Sequence, residues 1–215
     1  MPGVSIHIEG LSKSFDRKRI LSDVTLSLGD GNALAITGRN GSGKSTLLKI
    51  MAGLMSPTKG TVSVQIDEKE IHHDEWYRHL GFVSPYLQLY EEFTAWENLS
   101  IGRSIRGLPR DDNTLTSLLH RVGLYERRHD DVRTFSSGMK QRLKYAFALL
   151  HHPQILLLDE PRTNLDEDGI RIVSELIDEQ KKHGIVIVAT NDADDVLKCN
   201  VSFDLNEMAA RRPAG

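Results

Sequence analysis

The sequence predicts an α/β domain with a mostly parallel core sheet, an antiparallel β edge sheet and a small helical subdomain, all within residues 1–215. Three observations lead there. A glycine-rich turn, GRNGSGKST at 38–46, lies between a short apolar run and a helical pattern. The stretch QILLLDE at 154–160 is apolar without alternation, as a central parallel strand covered on both faces is. Near the start, VSIHIEG and ILSDVTLSL alternate apolar with polar residues, as half-buried strands do.

The remaining elements follow in chain order. RKR at 17–19 marks the turn between the first two strands, ALAIT at 33–37 is a third, and residues 44–53 form a helix stopped by Gly53. TVSVQI (61–66) and HLGFVS (79–84) read as strands separated by the polar stretch DEKEIHHDEW. Residues 85–134 change to helical periodicity, with breakers at Pro85, Gly107 and Pro109, and are expected to form the helical subdomain. The core is then 1–84 plus 135–205. Ser136 is an N-cap candidate for a helix over 138–151 that ends before Pro153. A helix in DEDGIRIVSELIDEQKKHG, a buried strand GIVIVAT, a short helix DADDVLKC and a last strand VSFDL complete the domain. The tail 206–215 is expected to be mobile.

Composition narrows the class. No apolar run approaches the roughly 18 residues that cross a bilayer, and MPGVSIHIEG lacks the layout of a signal peptide. The expected location is cytoplasmic, with membrane attachment only through a partner. The single cysteine, Cys199, has no internal disulfide partner and reads as an inert buried thiol in a reducing compartment. A net charge of −3 supplies no basic field, so no direct nucleic-acid partner is expected.

In GRNGSGKST, Gly38, Gly41 and Gly43 let backbone N–H groups turn inward around phosphate, with Arg39, Asn40 and Ser42 completing the loop. Lys44 adds a point charge for the outer phosphates, Ser45 a hydroxyl for Mg²⁺, and Thr46 is expected to cap the helix start. The strand before and the helix after mark this as a P-loop rather than a glycine turn with a stray lysine, so ATP and Mg²⁺ are the expected ligands. The apolar strand 155–158 delivers Asp159 and Glu160 to its carboxyl end, where parallel sheets bind ligands. Asp159 is assigned to the Mg²⁺ shell and Glu160 to the general base that activates water. Taken alone, the acidic pair would be a solvated strand end.

A third motif narrows the nucleotide-binding class. FSSGMKQRL at 135–143 resembles the signature segment of ATP-binding-cassette (ABC) ATPases, usually written LSGGQ. Phe135 stands for the Leu, Ser136 and Gly138 match, Ser137 replaces the first Gly and Met139 the Gln. The resemblance covers residues 4 to about 204. It implies a head-to-tail pair of ATPase domains, a homodimer if both halves are this chain, with ATP bridging Lys44 of one copy and Ser136, Ser137 and Gly138 of the other. Without the resemblance, FSSGM is an N-cap. Phe15 matches the family's adenine-stacking aromatic, or else is a core phenylalanine. In EPRTNLD, similar to the family's D-loop, Asp166 is expected near the dimer seam, as an N-cap, or as both.

Two positions depart from the family pattern. Pro85 stands where the family has Gln, and proline has neither side-chain amide nor N–H to orient Mg²⁺ or water. Gln88 is either a substitute or a surface residue. In VATND, Asn191 replaces the switch histidine; its amide donates one neutral hydrogen bond to a γ-phosphate but carries no charge, which implies slow hydrolysis. The pairs His72-His73 and His151-His152 read as surface histidines rather than metal ligands. Trp96, Tyr86 and Tyr90 form a docking face for another protein or pack inside the subdomain.

The resemblance implies the ATP-hydrolysing subunit of an ABC transporter that drives a separate membrane-spanning partner, most similar to small export-type, haem-exporter-like subunits. The alternatives are a soluble ABC ATPase acting on nucleic acid, ribosomes or cofactor assembly, and a weakly hydrolysing nucleotide-dependent regulator.

Overall fold

The computed structural model describes residues 3–16 and 18–206. The expected mobile tail, apart from Asn206, lies outside the described residues, as does Arg17 of the RKR turn.

The core sheet has the order β6-β7-β8-β3-β9 and is parallel at every pairing. Its strands are β3 (Ala33–Thr37), β6 (Leu80–Val83), β7 (Ile155–Asp159), β8 (Ile185–Ala189) and β9 (Val201–Asp204). β7 and β8 are buried along their whole length, which explains their unbroken apolar sequence. Successive side chains still alternate in direction. Leu156, Leu158, Val186 and Val188 enter one apolar cluster, while Ile155, Leu157, Ile185 and Ile187 enter another on the opposite face.

The second cluster is covered by helix α1 (Lys44–Met51) and a separate antiparallel sheet of order β2-β1-β4-β5. Its strands are β1 (Val4–Phe15), β2 (Lys18–Gly29), β4 (Lys59–Ile66) and β5 (Lys69–Glu70). TVSVQI therefore belongs to this sheet, and part of the polar stretch after it folds as a 3₁₀ turn, His73–Arg78. The first cluster is closed by α2 (Ala95–Ile105), α3 (Asp112–Arg121), α4 (Ser137–Leu149) and α5 (Glu167–Gln180); a short α6 (Ala193–Leu197) follows β8. No helix among the described residues is long and apolar enough to cross a membrane.

Several boundaries differ from the sequence reading. α1 ends at Met51, where Gly53 turns left-handed (φ 72°) and the N–H groups of Gly53 and Leu54 close back on Ile50 and Lys49. α4 begins at Ser137 and ends at Leu149, because His152 is already left-handed (φ 49°) ahead of Pro153. His151 is no surface histidine. Its Nε2 donates to the Leu80 carbonyl at 3.0 Å, and burial, with Arg106 nearby, lowers its pKa to about 4. Trp96 is half-buried against the helical cluster, whereas Tyr86 and Tyr90 are exposed. Cys199 is half-buried, and burial raises its pKa to about 11, so the thiol stays protonated.

Candidate active site

Strand register brings distant residues to one sheet edge. Asp159 pairs with Ala189, and Ala189 with Ile36, so the turns after β7, β8 and β3 leave side by side at the carboxyl ends of the strands. These turns carry Glu160, Asn191 and the glycine-rich loop.

Five of the six α-helices among the described residues are capped by a side chain, those of Thr94, Asp111, Ser136, Asp166 and Asp192. α1 is the exception: its N-cap is Gly43, with no side-chain hydrogen bond and no acidic residue in its first turn. Thr46 is therefore not the cap and sits inside the helix. A side chain at Gly43 would be strained, since φ is 107°, and its Cβ would crowd Leu21 Cδ2 at 2.8 Å. The first-turn N–H groups, which have no helical acceptor, thus keep their positive end free for an anion.

An open cleft lies over this helix start. Phe15 and Ile20 form one wall, Asn40, Gly41 and Gly43 to Thr46 the floor, and Glu160 the other side. Phe15 is 43% exposed, which sets aside the core reading, and Lys13 Nζ stands 5.0 Å from its ring centroid. Lys44 is 6% exposed; its Nζ donates to the Gly38 carbonyl at 2.7 Å and lies 3.9 Å from Glu160 Oε1. Asn191 reaches the same point. Because the ammonium only donates and the carbonyl only accepts, the amide is fixed with Oδ1 accepting from Lys44 (3.0 Å) and Nδ2 donating to Gly38 (2.6 Å).

Ser45 Oγ donates to Asp159 Oδ1 at 3.1 Å, while Asp159 Oδ2 is buried without a partner among the described residues. Burial raises the Asp159 pKa, opposed by the Ser45 bond and by Lys49 and Lys44. A hydroxyl beside an unsatisfied carboxylate oxygen is the hard-oxygen donor set that Mg²⁺ takes, so Ser45 and Asp159 fit that ion. When bound, Mg²⁺ would neutralise charge on the phosphate oxygens. Glu160 follows with a left-handed backbone (φ 50°), its N–H donating to the Ala189 carbonyl at 2.9 Å. Burial raises its pKa against the pull of Lys44.

Other singled-out residues lie elsewhere. Ser136 and Ser137 are exposed at the start of α4, outside the cleft, and Ser136 Oγ accepts from the Met139 N–H at 3.2 Å. A Cβ on Gly138 would come within 3.0 Å of the Asn164 carbonyl, so glycine permits the close approach of the 160–166 loop. Asp166 caps α5 through the Gly169 N–H at 2.8 Å. Gln88 is exposed and lines a different cleft beside Ser137 and Asn164. At Pro85, Lys144 Nζ reaches the Ser84 and Pro85 carbonyls at 3.4 and 3.3 Å; burial lowers the Lys144 pKa. No local sequence pattern marks Lys144 or Arg162, because their acceptors are remote in the chain; the acidic run after Asn191 is the one sequence signal for the arginine.

A family model described as "ABC transporter" matches residues 21–163. The chain is 32% identical over 204 residues to "Uncharacterized ABC transporter ATP-binding protein YybJ" of Bacillus subtilis (strain 168), which covers 94% of this chain and 92% of that protein. It is 34% identical over 190 residues to "Lantibiotic transport ATP-binding protein SrtF" of Streptococcus pyogenes, covering 86% of this chain and 79% of that one. A solved structure titled "Structure of ATP binding subunit of ABC transporter" aligns with a TM-score of 0.81 at 30% identity, over 93% of this chain and 85% of the other.

Proposed function

Because the chain belongs to the ABC transporter family and is an ATPase, we propose that it powers a separate membrane-spanning partner and closes as a homodimer on ATP. The observation that carries this reading is a division of labour. One cleft holds an uncapped helix start, Lys44, Ser45 and Glu160, with Asp159 buried behind it on the Ser45 hydroxyl, while the exposed Ser136 at the tip of α4 lies outside it. Each copy then lacks the second anion donor that another copy supplies.

In this reading Lys44 and the loop amides bind the triphosphate, Phe15 stacks on adenine, and Asn191 donates to the γ-phosphate. Glu160 orients water and takes its proton, a role worth ~10²–10⁴-fold in rate. Ser136, Ser137 and Gly138 reach the partner copy's nucleotide, and Asp166 lies near the seam between copies. Residues 85–134 serve as the helical subdomain that meets the membrane subunit. Its exposed Tyr86, Tyr90 and Phe93 supply the apolar contact. The working location is the inner face of the cell membrane, and export is the direction that the small export-type resemblance supports.

The test is the mass of the Glu160→Gln protein in solution, with and without MgATP. A shift from monomer to dimer on adding MgATP, with turnover lost, supports the reading. A monomer at saturating MgATP overturns it. Co-purification with a multi-span protein from native membranes tests the partner separately.

A further inference from the structure

The turn that carries Glu160 and the turn that carries Asn191 are joined by one side chain. Arg162 is 17% exposed; its Nε donates to Asp195 Oδ1 at 2.6 Å, and one guanidinium nitrogen lies 3.1 Å from Asp194 and 3.6 Å from Asp192. Asp195 is 4% exposed, and its other oxygen accepts from the Thr190 hydroxyl at 3.1 Å. The Thr190 hydroxyl in turn accepts from the Asp192 N–H at 3.0 Å. Asn191 is thus held on both flanks by a chain of bonds that ends on Arg162.

The other end of that chain is anchored in the core. The Pro161 carbonyl accepts from the hydroxyl of Tyr145, fully buried in α4, at 3.0 Å. A neutral amide acts only through hydrogen bonds whose strength falls steeply with angle and distance, and it has no charge to act at longer range. An asparagine facing a phosphate therefore needs its backbone held more tightly than a charged group would.

We propose that Arg162 is a positioning residue for ATP hydrolysis, setting the Asn191 amide at the phosphate loop through Asp195 and Thr190. This rests on the assignment of Asn191 to the γ-phosphate made above.

A double-mutant cycle on the full-length chain tests it, with kcat, KM for MgATP and melting temperature measured for Asn191→Ala, Arg162→Lys and the two combined. Asp195→Asn runs in parallel, in case the arginine variant does not fold. The expected result is that Arg162→Lys or Asp195→Asn lowers kcat roughly tenfold, with KM changed less than about twofold, and costs nothing further once Asn191 is alanine. Equal losses in both backgrounds, or wild-type kcat in both clamp variants, overturn the positioning role while the Asn191 assignment survives. Full turnover in Asn191→Ala alone removes that assignment, and the positioning role with it.

Discussion

Ser45 donates its hydroxyl to Asp159 across 3.1 Å, which joins the first turn of α1 to the end of β7 and leaves the second carboxylate oxygen buried without a partner among the described residues. A buried carboxylate with a raised pKa costs the fold stability when charged, and a cation removes that cost.

Asp159→Asn keeps the shape and the Ser45 bond but deletes the charge. Its magnesium requirement for ATP hydrolysis should rise more than ~10-fold. Without magnesium, its melting temperature should equal or exceed that of the wild type. A magnesium titration of turnover and a calorimetric scan check both, and an unchanged metal requirement counts against Asp159 as a ligand.

Burial raises the Glu160 pKa. If Glu160 is the general base, it is lost as pH falls through that raised value, so the acid limb of the kcat/KM profile should lie above the ordinary value of a glutamate. Glu160→Gln should remove turnover and that limb together. A limb at an ordinary carboxylate pKa would contradict the assignment.

Phe15 is exposed beside the glycine-rich floor of the cleft, so Phe15→Ala should leave stability nearly unchanged. ATP affinity should fall by about 1–3 kcal/mol, the scale of base–aromatic stacking. Affinity for tripolyphosphate, which has no base, should not change. Titration calorimetry with both ligands separates the outcomes, and parallel losses would place Phe15 outside adenine recognition.

The His151 pKa is depressed from 6.5 to about 4, chiefly by burial. The unfolded chain binds the extra proton first, so stability is full above about 6.5 and declines as pH falls toward 4, by ~3 kcal/mol at most. His151→Gln keeps a donor for the Leu80 carbonyl without titrating, and its melting temperature should vary less over that window. Equal pH dependence in both proteins would show that another group is responsible.

Much of this architecture was legible locally. The unbroken apolar run of 155–158, the glycine turn between strand and helix, and Ser136 before its helix each depend on residues within a few positions, because burial period and capping are short-range properties. Thr46 misled for a related reason: threonine is a common cap, but the glycine three residues earlier occupies the helix entry.

The sequence by itself determined the strand and helix order, the glycine-rich turn between a strand and a helix, and the absence of a histidine at position 191. Tertiary structure alone decided that Asn191 meets Lys44 and Gly38, that Arg162 clamps Asp195, that His151 is half-buried against the Leu80 carbonyl, and that β4 joins the second sheet. These contacts depend on strand register and sheet order, which set the distance between residues far apart in the chain, and no local preference encodes that distance.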